Sequence, residues 1–180
     1  MLQNGKIRLR ALEPQDIDLL YNWENNQDNW MVSNTITPYS KFVLEQYLMH
    51  SHEDIFTTKQ LRLIIEFEGC PIGAVDLFDF DPHHKRCGIG ILIADKQHRG
   101  KGYGSLVIKL LIDYCFEILG LRQIYCNILA SNKKSIQLFE KLGFEWVGLK
   151  KDWVFNQGLW HNECMYQCLA PINYANYSKG

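Results

Sequence analysis

The chain lacks an excess of either charge: Lys and Arg number 19, Asp and Glu 20. A general nucleic-acid binder usually carries a basic surplus, so that class finds no support. The 180 residues also lack a long apolar run. Nothing approaches a membrane span. The opening Met1-Leu2-Gln3-Asn4-Gly5 is not a signal peptide. A cytoplasmic protein with no membrane partner is therefore expected. Cys-x-x-Cys is absent, although there are six cysteines: Cys70, Cys87, Cys115, Cys126, Cys164 and Cys168. Without an export signal, these read as free thiols buried in apolar strand and helix patterns rather than as disulfides. No metal is expected. His83 and His84 are adjacent, and no third ligand stands at a useful spacing. What is present is core-forming material. At 47% hydrophobic and 13% aromatic, the chain suits one folded domain, read as residues 1–170 with a polar tail at 171–180.

Two phosphate-binding signatures are missing as well. A P-loop needs four residues between its first glycine and a Gly-Lys-Ser/Thr. A dinucleotide fingerprint needs Gly-x-Gly-x-x-Gly. Here the stretch Gln97-His98-Arg99-Gly100-Lys101-Gly102-Tyr103-Gly104 has Gly-x-Gly-x-Gly, between an apolar run at Ile89–Ala94 and an amphipathic segment at Ser105–Leu119. A glycine-rich turn between a strand and a helix is still a device for holding phosphate. Glycines allow positive φ and close backbone approach. Successive N–H groups converge on one concavity, and the first helical N–H groups lack intrahelical partners. The helix dipole favours an anion there, and Arg99 and Lys101 add positive charge.

Periodicity orders the rest. Lys6–Leu12 alternates as a strand. A helix follows Glu13-Pro14 with an apolar stripe through Ile17, Leu20, Tyr21 and Trp23, and the polar Asn25–Asn29 ends it. A second helix starts near Pro38 with Phe42, Val43, Tyr47 and Leu48 inward, and His50–Thr58 reads as a polar connection. Leu61–Phe67 and Ile72–Phe80 form a hairpin, and Cys87–Ala94 delivers the glycine-rich loop. The next helix buries Leu106, Val107, Leu110, Leu111, Tyr114 and Ile118, with Gly120 as its cap. Arg122–Leu129 is a strand. Ser131-Asn132 caps a short helix with Ile136, Phe139 and Leu142 inward. Phe144–Phe155 and Leu159–Leu169 are strands about Asn156-Gln157-Gly158.

Gln97, Gly100 and Gly102 match Arg/Gln-x-x-Gly-x-Gly/Ala, and this stretch resembles the pyrophosphate loop of the GNAT family of acyl-CoA-dependent N-acetyltransferases. A second segment, Asn132-Lys133-Lys134-Ser135-Ile136-Gln137-Leu138-Phe139-Glu140-Lys141-Leu142-Gly143-Phe144, is similar to the family's Asn-x-x-Ala/Ser-x-x-Leu-Tyr-x-Lys-x-Gly-Phe. The element order matches over about residues 5–170. The segments Ile7–Asp16, Pro71–Asp81 and Val154–Asn162 look most like the branch of spermidine/diamine and ribosomal-protein acetyltransferases.

The resemblance implies an α/β fold: a central mixed, mostly antiparallel sheet, split by a V-shaped cofactor cleft and flanked by helices. It implies acetyl-CoA as co-substrate, and direct attack of a primary amine on the thioester. Backbone groups at Ile91, Leu92 and Ile93 would bond the pantetheine. Gln97, His98, Arg99, Gly100, Lys101, Gly102, Tyr103, Gly104 and Ser105 would hold the pyrophosphate. Asn132, with Ser135 as its neighbour, would reach the pantetheine arm, and their helix, which also brings Phe139 to the cofactor, would close the groove. An oxyanion needs a donor, expected at a strand N–H near Ile93. Three positions depart from the family pattern: Phe139 replaces a tyrosine, Gly88 a glutamate, and Ile36-Thr37 an acidic pair.

A substrate amine must lose a proton, since an alkylammonium has a pKa near 10. Candidates near the cleft are Asp76 and Glu24, with Tyr125 aimed into the split; Asp28, Asp79, Asp81 and His84 are further possibilities. Asp76 and Asp79 have opposite parity, so without a bulge they face opposite sides of the sheet. The expected partner is a small amine, a polyamine, an amino acid, an aminoglycoside or a protein N-terminus. An acyl-CoA-binding protein with little turnover is the alternative. Strand edges with Trp153 and Trp160 suit a homodimer.

Overall fold

The computed structural model describes residues 2–33, 35–51 and 53–171. Apart from Pro171, the expected tail lies outside the described residues. Along the chain come β1 (Leu2–Asn4), β2 (Ile7–Ala11), α1 (Ile17–Glu24), α2 (Gln27–Ser33), α3 (Lys41–His50), α4 (Ile55–Thr58), β3 (Leu61–Phe67), β4 (Cys70–Asp81) and β5 (Arg86–Ile93). Then follow α5 (Tyr103–Asp113), β6 (Gln123–Leu129), α6 (Lys133–Lys141), β7 (Glu145–Asn156) and β8 (Leu159–Leu169). The strands form one sheet in the order β1-β2-β3-β4-β5-β6-β8-β7. Neighbours are antiparallel except β5 and β6. The mixed, mostly antiparallel sheet and its flanking helices are those the sequence led us to expect.

Alternation assigns the faces. Ile7, Leu9, Leu63, Ile65, Val75, Leu77, Ile89 and Ile124 join Val107, Ile108 and Leu111 of α5 in one buried cluster. Ile64 and Ala74 have the opposite parity and are also buried, as are Leu20 of α1 and Leu44 of α3. Strands covered on both faces read as continuous apolar runs, as Leu63-Ile64-Ile65 does. All six cysteines are free, and Cys87, Cys115, Cys126 and Cys164 are buried as expected; Cys70 is exposed.

Some local expectations are corrected. β1 pairs with β2 at Leu2↔Leu9, a strand too short to show alternation. α2 occupies the polar stretch read as the end of the first helix; Asn26 Oδ1 caps it, accepting the Asp28 N–H at 3.0 Å. α4, a single turn capped by Asp54, lies in the expected connection. In α3 the buried stripe runs through Leu44, with Tyr47 and Leu48 half-buried beside it. Phe42 and Val43 fall off that stripe and are 67% and 48% exposed. Beyond α5 a π-turn at Tyr114–Ile118 adds a residue to the repeat. It rotates the face so that Cys115 is buried and Ile118 is exposed.

A buried ion cluster sets where α1 begins. Arg10 on β2 donates to Asp16 Oδ2 and Oδ1 at 2.7 and 2.8 Å, and to Glu66 on β3 at 2.6 Å. Asp16 also accepts the Glu13 N–H at 2.9 Å, closing a capping box one turn before α1. Burial pushes the Asp16 carboxyl up, but the Arg10 and Glu13 hydrogen bonds outweigh it, and the group is held below its ordinary value. A depressed carboxyl stabilises the fold above its ordinary pKa and loses that contribution as pH falls through the folded value. Asp16→Asn is therefore expected to cost about 2 kcal/mol at neutral pH. Its deficit should narrow below about pH 4, as read by urea unfolding across a pH series.

Candidate active site

Between β5 and β6 the parallel pairing lasts only three residues: Arg86↔Gln123, Cys87↔Ile124 and Gly88↔Tyr125. Beyond that point β6 follows β8 through Leu129↔Glu163. The edge of β5 from Ile89 to Ile93 is left without a strand on that side. The opening is a cleft of about 630 Å³, lined by Ile89, Gly90 and Ile91 on one wall and Cys126–Leu129 on the other. Asn132, Ser135 and Phe139 of α6 and its cap stand at one end, and Phe78 at the other.

A second cavity, also of about 630 Å³, continues the cleft past the end of β5. The two share Val32, Ile91, Asn132 and Ser135. Leu92, Ile93, His98, Arg99, Gly100, Gly102, Tyr103, Gly104 and Ser105 line it. Gly100 and Gly102 have φ of +75° and +84°, conformations that favour glycine. Among the described residues, the N–H groups of Gly100, Lys101 and Gly102 have no acceptor, and Gly102 sits at the cap of α5. This set of donors fits a pyrophosphate group. Asn132 Oδ1 caps α6 by accepting the Ser135 N–H at 3.2 Å, so the asparagine serves the helix and lines both cavities.

Not every expected loop residue offers its side chain. Arg99 is folded back: it donates to Ile93 O at 2.7 Å, Ala94 O at 3.3 Å and Asn29 Oδ1 at 3.1 Å. It ties α2 to the end of β5. The His98 ring pairs with Asp95 at 2.8 Å and packs beside Phe67 and Tyr103, whose rings meet each other at 4.7 Å. The side chains of Gln97 and Lys101 are exposed and stand outside the cavity lining. Asp28 lines it, with its carboxylate bonded to Lys96.

The two carboxylates expected to be catalytic lie together in a third cavity, of about 400 Å³, beside the cleft. Between them is a residue the sequence reading passed over. Arg62 on β3 is opposite Asp76 on β4. It donates to Asp76 Oδ1 at 2.6 Å and Oδ2 at 3.2 Å, and also to Glu24 at the end of α1. The Tyr47 ring lies 5.7 Å from the guanidinium. Burial opposes the Arg62 charge, but Asp76, Tyr47 and Glu24 outweigh it and hold the guanidinium above its ordinary range. Burial, together with Asp76 and Glu24, pushes the Tyr47 phenol up. A lone arginine in the run Leu61-Arg62-Leu63-Ile64-Ile65 was the available signal, because a cation in a buried strand needs carboxylate partners. This cavity meets the cleft at Ser33, Thr35 and Phe78.

Tyr125 is placed differently from the expectation. It is the last β6 residue paired with β5, but its hydroxyl donates to Asp79 at 2.9 Å. It lines a polar groove with Asp79, Asp81 and Arg86, outside the cleft. Burial first, then Asp79, pushes the phenol up to about 12, so it keeps its proton. The bulge after Phe78 carries Asp79 at φ +50°. His84 stays in its turn, where its N–H bonds Asp81 at 2.9 Å.

Gly88 has a packing reason. A Cβ there would stand 2.2 Å from Cε2 of the Phe78 ring. Phe78 in turn meets Tyr125 edge-on, with centroids 5.9 Å apart. Phe139 is buried, edge-on to Phe144 at 4.9 Å. Among the described residues, no group of three ligands for a metal ion is present, and no helix is long and apolar enough to cross a membrane.

Comparison with known proteins agrees with this geometry. Residues 6–145 match the family model for the acetyltransferase (GNAT) domain. A spermidine N(1)-acetyltransferase of Vibrio cholerae is 33% identical over 144 residues, which is 78% of this chain and 80% of that one. The crystal structure of spermidine N-acetyltransferase from Vibrio cholerae with CoA and spermine superposes with a TM-score of 0.84 at 28% identity, covering 92% of this chain and 96% of that one. A dodecameric structure of the Vibrio cholerae enzyme gives 0.79 at 29% identity, covering 98% and 100%.

Phe78 and Gly88 should be energetically coupled. Gly88→Ala is expected to cost about 1–3 kcal/mol and far less in a Phe78→Ala background. A double-mutant cycle in urea would measure the coupling.

Proposed function

The chain belongs to the GNAT acetyltransferase family and is an acetyl-CoA-dependent N-acetyltransferase, and we propose that its acceptor is a small primary amine of the polyamine class. The observation that carries this reading is the cavity around Glu24, Arg62 and Asp76 beside the cleft. Two carboxylates and one guanidinium leave one net negative charge, which suits an ammonium group. Tyr39 and Tyr47 line the same space, with the Arg62 guanidinium over the Tyr47 ring. The named relatives act on spermidine, and a cavity of about 400 Å³ suits a slender amine better than a protein terminus.

Bound acetyl-CoA supplies a reactive thioester. The loop from Gly100 to Ser105 holds its pyrophosphate, and the open edge of β5 aligns its pantetheine. Phe78, Ser33 and Thr35 form the passage along which the amine reaches the cleft. Glu24 and Asp76 orient the ammonium and take the proton that it sheds. An N–H on the open β5 edge faces the developing oxyanion. Holding both reactants at this junction supplies much of the acceleration. The exposed aromatic residues of the β7–β8 hairpin, Trp153 and Trp160, suit contact with a second copy of the chain.

The test is acetyl transfer to a pool of polyamines, amino acids, aminoglycosides and short peptides, read by mass spectrometry. Acetylated polyamine is expected; product confined to another class would overturn the acceptor. Asp76→Asn and Glu24→Gln are each expected to raise the acceptor KM about tenfold, with the acetyl-CoA KM unchanged. Gly102→Val should lower CoA affinity at least tenfold in a folded protein, because the residue needs positive φ. Isothermal titration with CoA would show it.

A further inference from the structure

Among the described residues lining the cleft, only two side chains are charged, Lys150 and Glu163. They are cross-strand partners on β7 and β8. Lys150 Nζ donates to Glu163 Oε2 at 2.7 Å and to Asn127 Oδ1 at 2.9 Å, and it stands 4.9 Å from the ring centroid of Trp153. Glu163 is 6% exposed. Three strands and an aromatic face thus hold one ammonium group in place. Asn127 lies two residues past Tyr125, where β5 and β6 part. Asn127 and Lys150 line both the cleft and the polar groove of Tyr125, so the ammonium stands where the two meet. Two of its three N–H groups are taken by Glu163 and Asn127, which leaves one donor.

We propose that Lys150 is the counter-ion for the sulfur that departs during acetyl transfer. This rests on the cleft being the acetyl-CoA site. The acceptor nitrogen forms its bond to the acetyl carbon, and the carbon–sulfur bond breaks with its electron pair on sulfur. The proton lost by nitrogen passes to Glu24 and Asp76 and on to solvent. A thiolate is released, and Lys150 is the cation lining the cleft that can meet it. Phe139, in the same cleft, has no proton to give. Glu163 and Asn127 act as positioning residues, fixing Nζ on the wall. A plain structural tie between β7 and β8 would serve as well with its ammonium elsewhere on the hairpin; this one lines the cleft where it borders the Tyr125 groove.

The experiment needs no knowledge of the acceptor. The thiol of CoA bound to the protein is titrated by thiolate ultraviolet absorbance. The same protein with desulfo-CoA is subtracted, which cancels the six cysteines. The bound thiol is expected to ionise at lower pH than free CoA. In Lys150→Met the midpoint should rise by about one unit, whereas Lys150→Arg should keep most of the effect. CoA affinity and melting temperature, measured alongside, report whether the variants fold and load. A wild-type midpoint no lower than that of free CoA overturns the proposal without any variant. So does an unchanged midpoint in a folded, CoA-bound Lys150→Met. Absence of CoA binding by the wild type would instead strike the cleft reading beneath it.

Discussion

Everything in the site depends on how briefly β5 and β6 stay paired. Three parallel pairs hold the strands at Gly88 and Tyr125, and then β6 turns away with β8. A strand edge carries unpaired N–H and C=O groups, which are costly when buried without partners. Such an edge, open inside a sheet, suits an occupant with amide groups of its own, and the pantetheine of CoA is one. The break also makes the cavity: the diverging walls leave a space that the neighbouring helix α6 closes only at one end.

Around that break, charge is spent on position. Arg99 sits in the glycine-rich loop, yet its guanidinium holds α2 against the end of β5. Arg10 fixes the turn that launches α1, and α1 carries Glu24 to Arg62. Arg62 then gathers the two carboxylates into one cavity and cancels half of their charge. A bare pair of buried carboxylates would repel one another and tend to take up a proton. The guanidinium between them offsets that repulsion. The charge of that cavity is thus set by three residues from α1, β3 and β4 rather than by an acidic motif.

The same economy appears where side chains seem to be missing. Gly88 stands in place of a carboxylate, and Phe78 from β4 uses the room. Phe139 has no hydroxyl, and the cleft it lines also carries the fixed ammonium of Lys150. These replacements come from strands distant in sequence. Each can be understood only once the register of β4 on β5, and of β7 on β8, is known.

Much was legible from the chain alone. Strand alternation, glycines at positive φ in the loop, and the Asn132 cap are local properties. They follow from backbone sterics and short-range hydrogen bonding, which nearby residues determine. The run from the apolar strand through Gly100 and Gly102 into α5 therefore pointed to a phosphate cradle, and the Asn132 segment to the helix that closes the cleft. Tertiary structure decided what depends on register and on contacts between remote segments. A bulge after Phe78 set the Asp79 carboxylate within reach of Tyr125, whose hydroxyl bonds it outside the cleft. An arginine in a buried strand claimed Glu24 and Asp76 from two other elements. The face that a strand presents has a period of two, so one extra residue reverses it. Residues 38 positions apart, such as Glu24 and Arg62, meet only after the whole sheet is assembled.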